Sequence, residues 1–427
     1  MDDARSTLFV TWEGGGNVPP VLGAARRLVD RGHRVRVLTE PCLREPVEAI
    51  GAAFVPFTEH FTRTDRGEVL MEDWRATSPP AAMRDSLKRV VLGPAEPTAQ
   101  AIEQALDAEP ADAIVTDWLL PVGIAVGEAR RIPTAVLVHC VQMRPAPGRP
   151  PMGLAPMRGP LGRLRDAVLG KVAEGLFDGF LPAYNTVRAR RGLDPLAHAM
   201  DQYDRADRVL VQTSAAFDFP GQPDPDNVAY VGPVLDAPDW AEGAWQSPWP
   251  EGDGRPLVVV SLSSTFQNQR DEIQAAMTAL GGLDVRGLVT LGPAMVGEAF
   301  DVPDNVVAVD RAPHDVVLPH AAAMVTHGGH GSTIRALAHG VPVVVLPMGR
   351  DQDATAARVA ARGVGLKAKA TPAKIAAAVR RVLTEPAFRD AAHTLGQTIR
   401  ADAEADRVVT EIEALAATRA VRTSVPA

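Results

Sequence analysis

The chain has 427 residues, too many for one ordinary core and enough for two domains of roughly 200 residues each. It is 46% hydrophobic and 22% charged with a formal net charge of -8, a globular balance with no basic footprint for nucleic acid or an anionic membrane. At most weak membrane association is expected. Two cysteines, Cys42 and Cys140, stand far apart and are read as reduced thiols rather than a disulfide framework or a zinc knuckle. The opening residues MDDARSTLFVTW lack the basic and long apolar regions of a signal peptide, and no run approaches about 18 apolar residues. A cytoplasmic protein is expected.

In chain order, STLFVTW (6–12) is a β-type run and PPVLGAARRLVDRG (19–32) has helical spacing, with Pro near its start and Gly at its end. HRVRVLTE (33–40) is a second strand, LREPVEAIG a short helix and AAFVPF a third strand. The apolar runs ADAIVTDWLL (111–120) and IPTAVLVHC (132–140) flank the helical VGIAVGEARR. Strands alternating with helices imply βαβ units and a parallel sheet. Residues 143–160 break the pattern with Pro, Gly, Arg and three methionines, as a surface loop or a lid over an apolar ligand.

A second break, 236–256, holds four prolines and three tryptophans and reads as an interdomain linker. The βα pattern then restarts with PLVVVSLSS (256–264), EIQAAMTALGGL, RGLVTLG, NVVAVD, AAMVTHGG and VPVVVLP. The expected domains are therefore 1–235 and 257–405, two open α/β units whose strand ends form a cleft. Residues 406–427 are expected to form a helix and tail that pack back on the first domain.

Two strand–glycine–helix junctions bring backbone N–H groups towards that cleft. In FVTWEGGGNVPPVLGAARRL, Gly14 and Gly16 give only part of a dinucleotide fingerprint, because Pro19 stands at the third glycine position. That leaves a nicotinamide-dependent oxidoreductase as a weak alternative. The second junction, VTHGGHGST, has three glycines, a Ser-Thr pair and a helix N-terminus, which suit a diphosphate. No Lys follows, so it is not a P-loop. His327, His330 and His339 lie close in sequence, yet no acidic or thiolate ligand has matching spacing, and no metal is expected. Asp351-Gln352 follow the next strand, a carboxylate and an amide able to grip vicinal hydroxyls.

Residues 311–365 resemble the donor-binding signature of family 1 nucleotide-sugar glycosyltransferases, with a Pro-led loop, a Thr-His-Gly-Gly turn, a Gly-Val-Pro strand and Asp-Gln. The likeness extends to residues 9–39, to YVGPV (230–234) and to VVVSLSS in the second half, and it is nearest to bacterial enzymes acting on macrolides and polyketides. It implies a GT-B fold, α/β, with two Rossmann-like domains facing each other across a cleft. The implied activity is inverting transfer of a hexose from a UDP- or dTDP-sugar to a small hydrophobic acceptor such as a polyketide, macrolide or phenolic. The nucleotide sugar is a co-substrate, no other cofactor is implied, and the protein is a monomer or homodimer. An inactive sugar-nucleotide-binding helper of another transferase is the alternative.

The resemblance places the donor diphosphate against His327, Gly328, Gly329, Gly331, Ser332 and Thr333, with Ser264 and Thr265 beside it. Arg311, Ala312 and His314 would flank the nucleobase, and Asp351 and Gln352 the sugar. Trp12, Trp118, His139, Met143 and Met152 would face the acceptor. The family's usual catalytic His in the first loop is replaced by Asn17, which cannot take a proton at neutral pH. Arg335 stands where many relatives carry a Glu that engages the ribose. Asp117, which normally orients the missing His, becomes the candidate base, directly or through a water held by Asn17, with Glu13 and His139 as substitutes.

Overall fold

The computed structural model describes residues 4–76, 81, 84, 85, 88–151, 153–157, 159–219, 224–236 and 245–424. Met152 and all of 237–244 lie outside them, so neither the Met152 expectation nor this part of the linker has a structural counterpart here.

The first sheet contains β1 (Ser6–Val10), β2 (Arg34–Thr39), β3 (Ala53–Pro56), β4 (Ala113–Asp117), β5 (Thr134–Val138), β6 (Arg208–Val211) and β7 (Val228–Tyr230). All pairs are parallel, in the order β3-β2-β1-β4-β5-β6-β7. The second sheet contains β8 (Leu257–Ser261), β9 (Arg286–Thr290), β10 (Val306–Val309), β11 (Ala321–Thr326), β12 (Val343–Val345) and β13 (Gly365–Lys367). Its order is β10-β9-β8-β11-β12-β13, again parallel. β1, β4, β5 and β8 are buried along their whole length, as strands covered by helices on both faces must be.

Each sheet reverses its winding at one place, between β1 and β4 and between β8 and β11. The loops leaving adjacent strand ends there diverge to opposite faces and open a crevice, where such sheets hold ligands. Val10 pairs with Thr116 and Ser261 with Thr326, so both glycine junctions leave their sheets at these crevices.

Several helices carry little contrast in the sequence. Ala95–Ala108 buries mostly alanines with Ile102 and Leu106, a face too small to show as a strong apolar stripe. Gly159–Phe177 is harder still, because Leu161, Leu164, Val168, Val172 and Leu176 are exposed along it. Residues 143–160, read as a loop or lid, are anchored: Arg149 is buried and donates to both carboxylate oxygens of Asp224.

The last helix, Arg407–Ser424, lies on the first sheet. Val408, Val409, Ile412 and Leu415 share a core with Val21, Leu28 and Val115, and Arg31 bridges Asp406 at 2.6 Å and Glu413 at 2.8 Å. The segment after β6 crosses the other way: Phe217 is fully buried in the core of the second sheet. Next to it, Asp218 accepts from Arg358 at 2.5 Å and from the Gln142 N–H at 2.7 Å, with both charged side chains buried.

Removing one partner of a buried pair strands the other charge in a low-dielectric interior. Asp218→Ala should therefore lose about 3–5 kcal/mol of stability, read as a lower denaturant midpoint. A midpoint within error of the parent would show that the pair carries no such weight.

Candidate active site at the facing strand ends

Asn17 is the N-cap of the helix Val18–Asp30 but makes no side-chain cap bond. The reason lies in the sequence. A capping side chain bonds the N–H of the second or third helical residue, and here both are prolines, Pro19 and Pro20, which have none. The amide is free for other work. Its Nδ2 donates to Asp117 Oδ2 at 3.0 Å and to the Trp12 carbonyl at 2.8 Å, while its Oδ1 accepts from the Gly14 N–H at 3.0 Å.

Asp117 ends β4 and is buried, its other oxygen accepting the Leu119 N–H at 2.9 Å. His139, one residue beyond β5, brings Nδ1 to 3.5 Å from Asp117 Oδ2. The indole N–H of Trp118 donates to His139 Nε2 across 3.4 Å. An indole is only a donor, so Nε2 holds a lone pair and the proton belongs on Nδ1, facing the carboxylate. At 3.5 Å Nδ1 is buried without a hydrogen-bond partner, so the two groups make a close Asp–His approach, with the imidazole delivered by β5 instead of the first glycine loop.

Glu13 is occupied. One oxygen accepts the Gly15 N–H at 2.6 Å and the other pairs with Arg66 at 2.7 Å. Trp12 is buried in the core, stacks on Phe61 with ring centres 6.2 Å apart and floors the glycine loop at Gly14. Trp118, by contrast, lines a small apolar cavity with Leu119, Phe177, Phe180 and Tyr203. Met143 packs between the cores of both domains.

On the second domain, Gly328 adopts φ +95°, left-handed backbone that a side chain would strain, and an added Cβ would strike Val345. The turn leads into the helix His330–Ala338, whose N-cap is Gly329. Its first N–H groups lack partners within the helix, and its dipole favours negative charge. Ser332 sits in that first turn half-buried, whereas the Thr333 hydroxyl donates back to the Gly329 carbonyl at 3.0 Å and is buried. The Thr333 hydroxyl therefore braces the first turn of the helix.

His327 is buried with no partner on Nδ1, and burial together with Arg350 pushes its pKa down to about 3. A neutral imidazole there can donate or accept a hydrogen bond but carries no charge towards a phosphate. His330 is also held near 3, first by burial, then by His139 and Arg358, and its Nε2 lacks a partner. His339 is elsewhere, paired with Asp315 at 3.2 Å. Among the described residues no group of three or more His, Cys, Asp or Glu is placed to hold a metal ion.

Burial pushes the Asp351 carboxyl up, while the charges of His139, Arg350 and Arg358 pull it back. Gln352 is buried, with its oxygen accepting the Met348 N–H at 2.6 Å and its Nε2 donating to Gln267 Oε1 at 2.9 Å. Gln267 donates to Ser263 Oγ at 2.7 Å, which meets Thr265 Oγ1 at 3.1 Å. The Asp-Gln end is thereby tied to the Ser263–Thr265 loop. The loops of the two domains also touch, since a Cβ on Gly15 would come within 2.4 Å of Thr265 Cγ2 and 3.4 Å of Ser264 Oγ.

At the far end, Arg311 is exposed, Ala312 is buried, and His314 is pushed down to about 4 by burial and Arg335. Arg335 donates to Asp315 at 2.5 Å and to the Asp236 carbonyl at 2.6 Å. Burial alone would raise Asp315; His339 and Arg335 hold it at about 2. Arg350 and Asp73 are site residues that the sequence alone does not flag. Arg350 lies beside the Asp-Gln pair, but Asp73 is in an irregular stretch whose approach to it depends on the folded chain.

Two α/β domains meeting strand end to strand end, with an anion turn on one and an Asp–His pair on the other, define a GT-B glycosyltransferase site. Residues 274–415 match the family described as "Erythromycin biosynthesis protein CIII-like, C-terminal domain". The chain is 33% identical over 395 residues to 4'-demethylrebeccamycin synthase of Lentzea aerocolonigenes, covering 90% of this chain and 92% of that one. Demethyllactenocin mycarosyltransferase of Streptomyces fradiae is 27% identical over 416 residues, 89% and 80% of the respective chains. The crystal structure of the calicheamicin glycosyltransferase CalG4 superposes with a TM-score of 0.72 at 25% identity, covering 97% of this chain and 98% of that one. The protein belongs to the family 1 natural-product glycosyltransferases and is a glycosyltransferase enzyme.

The buried imidazoles set a pH dependence. His314, His327 and His330 hold folded values of about 4, 3 and 3, below the ordinary value near 6.5. As pH falls below ~6.5 the unfolded chain takes up these protons first. Stability is thus full above ~6.5 and falls towards the folded values, by up to about 1.4 kcal/mol per pH unit for each group. Denaturant midpoints at successive pH values should show this decline, and His330→Leu should make it shallower by one proton. An unchanged slope in that variant would contradict the burial of a neutral His330.

Proposed function

We propose that the enzyme transfers a hexose from a UDP- or dTDP-sugar to a hydroxyl of a small hydrophobic acceptor with inversion, and that His139 is its general base. The observation that carries this is the approach of His139 to Asp117 at the first crevice, with the charge of His139 also felt at Asp351 of the second domain. Both oxygens of Asp117 already accept hydrogen bonds, from Asn17 and Leu119, which suits an orienting carboxylate better than a base. His139 Nε2 has a lone pair held only by the long bond from Trp118.

In the reaction the acceptor oxygen attacks the anomeric carbon from the face opposite the diphosphate. The bond from that carbon to the diphosphate oxygen breaks, and the acceptor proton passes to His139 Nε2. Asp117 stabilises the resulting imidazolium through Nδ1–H. The leaving charge is taken by the turn at 327–332 and the helix N-terminus behind it. The apolar side chains Leu119, Phe177 and Phe180 beside Trp118 offer a hydrophobic surface on the acceptor side of the first domain.

Purified protein incubated with UDP- and dTDP-glucose and a panel of phenolic and macrocyclic acceptors should give a hexose adduct by mass spectrometry. His139→Gln should lower kcat by about 10²–10⁴-fold and abolish the acid limb of the pH profile of kcat/KM, with donor KM little changed. Asp117→Asn should lower kcat while leaving an acid limb. A His139→Gln enzyme with parental kcat on an unactivated alcohol would remove His139 as the base.

A further inference from the structure

The stretch Gly349-Arg350-Asp351-Gln352 carries a guanidinium as well as the carboxylate and amide expected at the sugar. Arg350 has φ +55°, left-handed backbone in a residue with a side chain, an uncommon conformation that here accompanies a side chain turned into the seam. Its Nη1 donates to Thr265 Oγ1 at 3.0 Å. Its Nε and Nη2 donate to Asp73 Oδ2 and Oδ1 at 3.0 and 3.1 Å, a two-pronged pair between the domains. The Asp73 side chain is 8% exposed and that of Arg350 20%, while Arg350 as a whole residue lies at the surface, where an entering anion can reach it. The Arg350 charge is also felt at His327, which it helps to keep neutral.

These contacts put the guanidinium against the Ser263–Thr265 loop, near enough to the 327–331 turn for its charge to be felt at His327, and the two elements would flank a donor diphosphate. Its fork is filled by a carboxylate of the first domain. The same fork accepts a phosphate with equal geometry, and a diphosphate offers more charge than one carboxylate. We propose that Arg350 is a ligand of the donor diphosphate and that Asp73 is an internal anion holding its place. On this account, which rests on the donor reading above, donor entry exchanges one anion for the other and releases the Asp73–Arg75 turn from the second domain. Trp74, edge-on to Phe266 with ring centres 5.0 Å apart, would move with that turn. When the nucleoside diphosphate leaves, Asp73 returns to the fork and competes against rebinding.

The exchange predicts effects of opposite sign at the two ends of one ion pair. Titration calorimetry with UDP and with dTDP on the full chain should show D73N binding roughly tenfold more tightly than the parent, because the competing anion is gone. R350A should bind roughly tenfold or more weakly, and the D73N/R350A double variant should match R350A. Uridine and thymidine, which lack the diphosphate, should bind all four proteins alike. Melting curves identify any variant that is simply unfolded, and R350K supplies a milder substitution in that event, expected to fall between parent and R350A. D73N binding no tighter than the parent, or R350A binding as tightly, overturns the exchange while leaving the donor reading in place. A parent protein that binds neither diphosphate overturns the donor reading and the exchange with it.

Discussion

The buried ion pair between Asp218 and Arg358 sets the distance on which the catalytic arrangement depends. Asp218 also accepts the Gln142 N–H, three residues past His139, and Arg358 lies two turns along the helix that follows Asp351. One carboxylate thus ties the end of β5 to the helix carrying the proposed sugar contact. A guanidinium on the Phe219 ring, 4.6 Å from its centre, completes the enclosure. Burying such charges is costly unless the geometry is good, so the pair contributes specificity of docking more than net stability. Across this seam the charge of the first domain's imidazole is felt at the second domain's Asp351.

The replacement of a histidine by Asn17 need not mean a lost base once the neighbouring prolines are considered. Ordinarily an asparagine at a helix start would be consumed by capping. With Pro19 and Pro20 offering no N–H, its amide reaches Asp117 and helps hold that carboxylate in position. The imidazole then comes from the next strand end. Parallel strands with aligned ends make this substitution geometrically cheap, because β4 and β5 deliver Asp117 and His139 to the same crevice.

Much of this was legible in the residues. Period and composition gave the alternating strands and helices, since buried parallel strands read as apolar runs and the crossover helices carry caps and glycines. The glycine turn at 327–331 was legible because glycine, serine and a helix start leave a local signature. The approach of Asp117 and His139 was only half visible: both residues stand out, but their nearness across 22 positions comes from strand pairing. That the Thr333 hydroxyl bonds its own helix and that the Trp12 indole is buried depend on the fold, because a hydroxyl and an indole look alike in a string wherever they end up. Asp73 had no local signal at all, for its partner lies 277 residues away.

The chain leaves the first domain near Asp236 and comes back to it near Asp406, and one guanidinium, that of Arg27, lies against both carboxylates, at 2.7 and 3.4 Å. Both ends of the path through the second domain are thereby stapled to a single helix, Val18–Asp30. A long excursion whose two ends meet at one point is a closed loop, and closing it early lowers the entropy that the residues within it have left to lose as they fold.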